Sequence, residues 1–148
     1  MTAAPDALSI ERMTVRADRI VCDVSLAPAA PRFTSPAMAE RVRAAFPDVA
    51  HHACVNEEGD TFAAVMDRTS LPHVLEHLVI SLQVRAEAER AAAPGADEDC
   101  ASTVFVGTTE WTDEFAGLAR VEVSFADDLV ALRAFRDATR FLNNALIR

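Results

Sequence analysis

Apolar positions along this chain repeat with two periods, and the switches between them divide it into strands and helices. From Ile20 to Leu26, the residues Ile20, Cys22, Val24 and Leu26 alternate with Val21, Asp23 and Ser25, the period of a half-buried strand. Leu8 to Val15 reads as its partner, joined through the polar turn Arg16-Ala17-Asp18-Arg19, and Ala27 to Arg32, with Pro28 and Pro31, is a connection. Ser35-Pro36 sets a capping hydroxyl before a proline at the first helical position. Met38, Val42 and Phe46 then continue a short amphipathic helix until Pro47 stops it. Val49 to Val55 predicts a strand with His52 and Cys54 on one face and His51 and Ala53 on the other; Asn56 to Asp60 is a turn. Phe62 to Asp67 fits either a short helix or a strand.

The longest helical pattern follows. Ser70 is a good N-cap, Pro72 falls in the first turn, and nothing interrupts the run before Ala93-Pro94-Gly95, which predicts about six turns. At about 100° per residue, Leu71, Leu75, Leu78 and Leu82 form one stripe with Val74 and Val79 on its shoulders, while His73, His77, Ile80 and Val84 lie opposite. A helix apolar on both sides is covered on both sides. Ala91 to Ala101 reads as a surface loop carrying Cys100, Thr103 to Val106 as a strand, and Gly107 to Phe115 as a loop. Leu118 to Phe125 is a strand with Val121, Val123 and Phe125 on one face and Glu122 and Ser124 on the other. A last helix runs from Asp127 or Asp128 to Leu146. This order predicts an α+β chain, one domain over residues 1–148. It would be a two-layer α/β sandwich with a mixed or antiparallel sheet of about five strands, a long central helix and a C-terminal helix.

Composition narrows the class. A chain of 148 residues, 51% apolar and 25% charged, can bury a core without disulfides. No apolar run approaches the ~18 residues of a membrane span, and the N-terminus lacks the pattern of a signal peptide, so a cytoplasmic protein with no membrane partner is expected. The net charge of −9 argues against a nucleic-acid surface and favours a cationic ligand such as one bearing arginine. Cys22, Cys54 and Cys100 form no C-x-x-C and read as free thiols, with Cys22 in the core.

The long helix also carries H-x-x-E-H. His73 and His77 stand one turn apart and can converge on one ion, and Glu76 lies where it can address a water held there. The order inverts H-E-x-x-H, in which two imidazoles hold zinc and the glutamate is general base. From the residues alone, the motif is liganded, hydrogen-bonded into the fold, or lines a cleft. His52 and Cys54 could suggest a thiol nucleophile, but no third group orients them. No Ser-His-Asp order, glycine-rich phosphate loop or basic patch competes.

The run His52-Ala53-Cys54, then Phe62, then Leu71-Pro72-His73-Val74-Leu75-Glu76-His77-Leu78-Val79-Ile80-Ser81-Leu82-Gln83, resembles the N-terminal domain of cyanophycin synthetases. There the same H-x-C spacing precedes a helix of the form L-G-H-V-I-E-H-V-A-L-E-L-Q. Gly117 to Phe125 and the helix after it are similar to that domain's closing strand and helix, so the likeness covers roughly Phe46 to Leu142. The resemblance stops short of that family's ATP-grasp and Mur-ligase-like domains, so a chain without them is expected and no ATP chemistry is carried over. The resemblance implies a stand-alone relative of a domain that handles an aspartate polymer bearing arginine side groups. In some members that domain looks like a zinc peptidase that cuts the polymer to supply primers; in others it only holds the polymer near the ligase. Residue by residue, the resemblance implies His73 and His77 as ligands of one zinc, Glu76 as general base, and His52 in substrate or transition-state contact. Pro72 replaces the family's usual glycine, and Ser124 stands where a glutamate is frequent.

A catalytic zinc site takes three protein ligands and one open position. Glu122 is the expected third, two residues from Ser124 on the same strand face, with Glu110 and Glu114 as alternatives. Glu110, Asp113 and Glu114 would meet substrate guanidinium groups at the cleft mouth, and Trp111 would either stack on one or anchor the loop. The expected function is zinc-dependent hydrolysis of peptide or isopeptide bonds in the arginine-bearing aspartate polymer or a related small peptide, with a separate ligase as a further partner. The alternatives are a non-catalytic accessory domain that binds polymer or a partner, and a structural domain whose imidazoles bond to backbone.

Overall fold

The computed structural model describes residues 6–56, 58–95 and 103–146. In chain order these form β1 (Leu8–Val15), β2 (Arg19–Leu26), α1 (Pro36–Ala45), a 3-10 turn (Pro47–His51), β3 (Ala53–Asn56), β4 (Gly59–Thr61), a second 3-10 turn (Phe62–Ala64), α2 (Leu71–Ala92), β5 (Gly107–Asp113), β6 (Leu118–Ser124) and α3 (Asp128–Leu146). Four strands make an antiparallel sheet in the order β1-β2-β6-β5, and β3 and β4 form a separate antiparallel pair. The α+β sandwich expected from the pattern is thus present, with four strands in the main sheet.

Period-two patterning decides which side of the sheet is dry. Ile20 pairs with Val123 and Cys22 with Val121, all four fully buried, so alternate residues of the two central strands build one apolar face. Helices α2 and α3 lie on that face, α2 over β5 and β6 and α3 over β1 and β2. Leu75, Leu78, Phe135 and Leu142 fill the layer between. Each such side chain contributes about 1.5–3 kcal/mol relative to exposure. At one end Phe46 meets Phe141 edge to face at 5.0 Å and carries the Arg85 guanidinium 4.4 Å above its ring.

Local chemistry sets the ends of α2. Ser70 Oγ accepts the His73 N–H at 3.2 Å, and Pro72 sits in the first turn. As its two-sided pattern requires, α2 is buried on the leucine side and again around Glu76 and His77. Asn143 of α3 is a second fixture: its Oδ1 accepts the Leu8 N–H and its Nδ2 donates to the Leu8 carbonyl, each at 2.9 Å.

Three segments differ from the sequence expectation. Val49 to Val55 is no single strand, because Pro47 starts a 3-10 turn that buries Val49 and delays β3 to Ala53. Thr103 to Val106 is an extended lead-in with Val104 84% and Val106 62% exposed, and the strand is Gly107–Asp113. As the sheet's edge, β5 turns one face to solvent and the other to a polar site, so a polar sequence suits it. Gly59 and Asp60, read as the end of a turn, belong with Thr61 to β4. Cys100, with most of the predicted loop around it, lies outside the described residues. Among the described residues no helix is long and apolar enough to cross a membrane.

Candidate functional site

His73 and His77 rise from one face of α2, and β3 brings Cys54 up to them. His73 Nε2 lies 3.2 Å from His77 Nε2 and 3.6 Å from Cys54 Sγ, and the three donor atoms fall within 4.8 Å of one another. Zinc bonds of about 2.0–2.1 Å to nitrogen and about 2.3 Å to sulfur give tetrahedral edges of about 3.3 Å between nitrogens and about 3.6 Å from nitrogen to sulfur. Two of the three separations match the edges of such a tetrahedron, and the third, from Cys54 to His77, is no more than 4.8 Å.

Behind the donors the rings are supported. Phe62, fully buried, stacks on His77 with centroids 4.0 Å apart and meets His73 edge-on at 5.0 Å. Thr69 Oγ1 is 2.8 Å from His73 Nδ1, and His52 Nδ1 is 3.1 Å from His77 Nδ1. Burial drives His77 down to about 3, with the neighbouring His73 and His52 adding to the shift, and burial alone holds His73 below the usual imidazole value. His52 is also lowered by burial, against the pull of Asp48. Asp48 itself is opposed by burial, yet the Ser81 hydrogen bond, its own backbone and His52 keep it below the carboxylate range. An imidazole held neutral in this way can bind a metal without first losing a proton.

Glu76 is the third member of the helix motif and is 5% exposed. Its Oε1 accepts from Thr109 Oγ1 at 2.8 Å, and its Oε2 is 3.5 Å from His77 Nε2. Burial raises its carboxyl to about 7, with the Thr109 hydrogen bond pulling the other way. A cleft of about 430 Å³ opens over these groups, lined by Ala53, Cys54, Ser70, His73, Glu76, His77, Gly107, Thr108 and Thr109.

Glu122 is not the third donor. It lies on the β6 face opposite buried Val121 and Val123, paired across strands with Val21 and Thr108 and 3.8 Å from Arg19. The helices cover the other face, so its carboxylate points away from His73 and His77. Glu110 shares that outer face, opposite Arg120. Asp113 caps the β5–β6 turn by accepting the Ala116 N–H at 3.0 Å, and Arg32 bonds to the carbonyls of Glu114 and Phe115. None of these acids lines the cleft. Trp111 shares the face of Thr109 and meets Phe33 edge to face at 6.3 Å, and Phe33 bridges to Ser70 on the cleft wall. His52 stands behind His77 rather than in the cleft.

Cys54 is the side chain beside His73 and His77 that sequence reasoning did not include among the metal-competent groups. The H-x-C spacing of His52 and Cys54 is the available signal, but it is weighed in the sequence only as a thiol nucleophile and set aside for lack of a third orienting group. In the fold Cys54 faces His73, while His52 turns to His77.

A model of the cyanophycin synthase-like N-terminal domain matches residues 19–146, adding β2 and α1 to the stretch that carries the helix motif. No curated protein matches the chain, and no solved structure does.

Proposed function

This chain belongs to the cyanophycin synthase-like N-terminal domain family, and on that premise we propose that it is a zinc-dependent hydrolase of peptide or isopeptide bonds in an arginine-bearing aspartate polymer, or in a related small peptide. One observation carries the reading: Cys54, His73 and His77 gather their donor atoms within 4.8 Å of one another beside Glu76 in a cleft. Cys54 takes the place first expected of Glu122.

Zinc bound there would supply Lewis acidity at the scissile carbonyl and lower the pKa of water toward about 7. Thr109 holds one oxygen of Glu76, so the other, turned toward His77, is the one that works. Glu76 removes a proton from the attacking water as the new carbon–oxygen bond forms. It returns that proton to the leaving nitrogen as the carbon–nitrogen bond breaks. The net charge of −9 suits a substrate rich in guanidinium, and Trp111 with Phe33 offers aromatic surface beside the cleft for stacking. Glu110, Asp113 and Glu114 have no part in this reading. A separate ligase would extend the chain ends that such cleavage produces.

The test joins metal content to turnover. Untagged protein should hold close to one zinc per chain and shorten the polymer, and Glu76→Gln should keep the zinc while turnover falls about 10²–10⁴-fold. Metal-free protein, or a Glu76→Gln variant as active as wild type, would overturn the proposal. Polymer retained equally by both proteins without cleavage would favour the accessory role.

A further inference from the structure

A line of polar groups runs from the donor cluster to the surface. His77 turns Nε2 to His73 and Nδ1 to His52 Nδ1, 3.1 Å away, and His52 turns its own Nε2 to Asp48 Oδ2 at 3.4 Å. Ser81 Oγ donates to the same Asp48 oxygen at 2.7 Å, and Arg85 Nη2 stands 3.9 Å from the other. The geometry points to a tautomer lock: Asp48, acting through His52, keeps the proton of His77 on Nδ1 and so leaves Nε2 as a lone pair for the metal. The assignment rests on the zinc reading for its purpose but not for its hydrogen placement.

The direction of the line follows from what each group can offer. A carboxylate has only lone pairs, so the His52 nitrogen facing Asp48 carries the hydrogen. A neutral imidazole has one N–H, which leaves His52 Nδ1 as an acceptor. The nitrogen opposite, His77 Nδ1, must then donate, and His77 Nε2 is bare. The reverse order sets two lone pairs against each other at Asp48 and puts a hydrogen on the nitrogen that faces His73 and Glu76, where it blocks an ion. Ser81 donates to the same Asp48 oxygen, which has more than one lone pair, and so does not compete with His52 for it. Thr69 cannot lock His73 in this way, because a hydroxyl both donates and accepts. Asp48 and His52 are thus positioning residues, which moves His52 away from the substrate contact that the family resemblance implied.

Long-range ¹H–¹⁵N imidazole spectra of the metal-free full chain read the placement directly. Wild type should show His77 protonated at Nδ1 and His52 at Nε2. Asp48→Ala should spread the His77 proton over both nitrogens and weaken zinc binding, measured by chelator competition, about 10–100-fold. Ser81→Ala keeps the carboxylate and should keep both the tautomer and the affinity to within a few-fold, which separates orientation from a general loss of packing. A wild-type His77 protonated at Nε2, or a His52 carrying both hydrogens, overturns the lock even where Asp48→Ala fails to fold, and so does unchanged zinc affinity in Asp48→Ala. Wild type that binds no zinc would end the hydrolase reading, while the metal-free spectrum would still decide the tautomer.

Discussion

Glu76 keeps its position because residue 107 has no side chain. A Cβ at Gly107 would fall 2.6 Å from Glu76 Cγ and 2.9 Å from Cδ, with the Glu122 carbonyl oxygen 3.1 Å away on the strand side. The carboxylate therefore lies against bare backbone, where Thr109 can reach it. Gly107→Ala should push Glu76 off Thr109 and cost about 1–3 kcal/mol through overpacking, read as a lower urea midpoint. Zinc content should be kept and turnover lost, since the atoms nearest the added methyl belong to Glu76 and to the Glu122 backbone. An alanine variant with wild-type stability and turnover would show that Glu76 does not need this groove. Nothing in the sequence marks Gly107 for this duty: it ends an apolar run and reads as the start of a loop, and only the approach of α2 to β5 gives its missing side chain a purpose.

Among the elements, α2 was the most legible and β5 the least. Ser70, Pro72 and the leucine stripe act within a few turns of helix, so the start and length of α2 follow from local interactions. The residues of β5 do not look like a strand, because an edge strand facing solvent and a polar site needs no apolar alternation. At the opposite edge, β1 is joined to α3 by Asn143. Asn143→Ala would leave the Leu8 N–H and carbonyl without their partner and should lower stability by about 2–3 kcal/mol. The measurement is the denaturant midpoint, with the slope unchanged. Zinc content should not change, as the clamp and the donor cluster hang from opposite edges of the sheet. A loss of metal in this variant would mean that the two edges are coupled.

For the molecule as a whole, the sheet's dry face sets a pH limit. Cys22 is fully buried between β1 and β6, and burial, with Asp23 beside it, lifts its thiol from 9.0 to about 12. Below the unfolded value both states keep the proton and the thiol has no effect on the balance. Between the unfolded and folded values only the native state holds it, so stability falls as pH rises. Cys22→Ala should flatten this alkaline decline, measured as the urea midpoint against pH, and an equally steep decline in the variant would place the loss elsewhere. The sequence by itself determined the alternation of β2 and β6, the caps and stripes of the helices, the pairing of His73 with His77 and the membership signal in the long helix, because these depend on spacing along one element. The tertiary structure alone decided that Cys54 lies beside His73 and His77, that His52 and Asp48 stand behind His77, and that Glu122 faces away from them. Helix α2 must bury its stripe against the side of the sheet that carries Val121 and Val123, and every residue of opposite parity on β6 is then turned away from it.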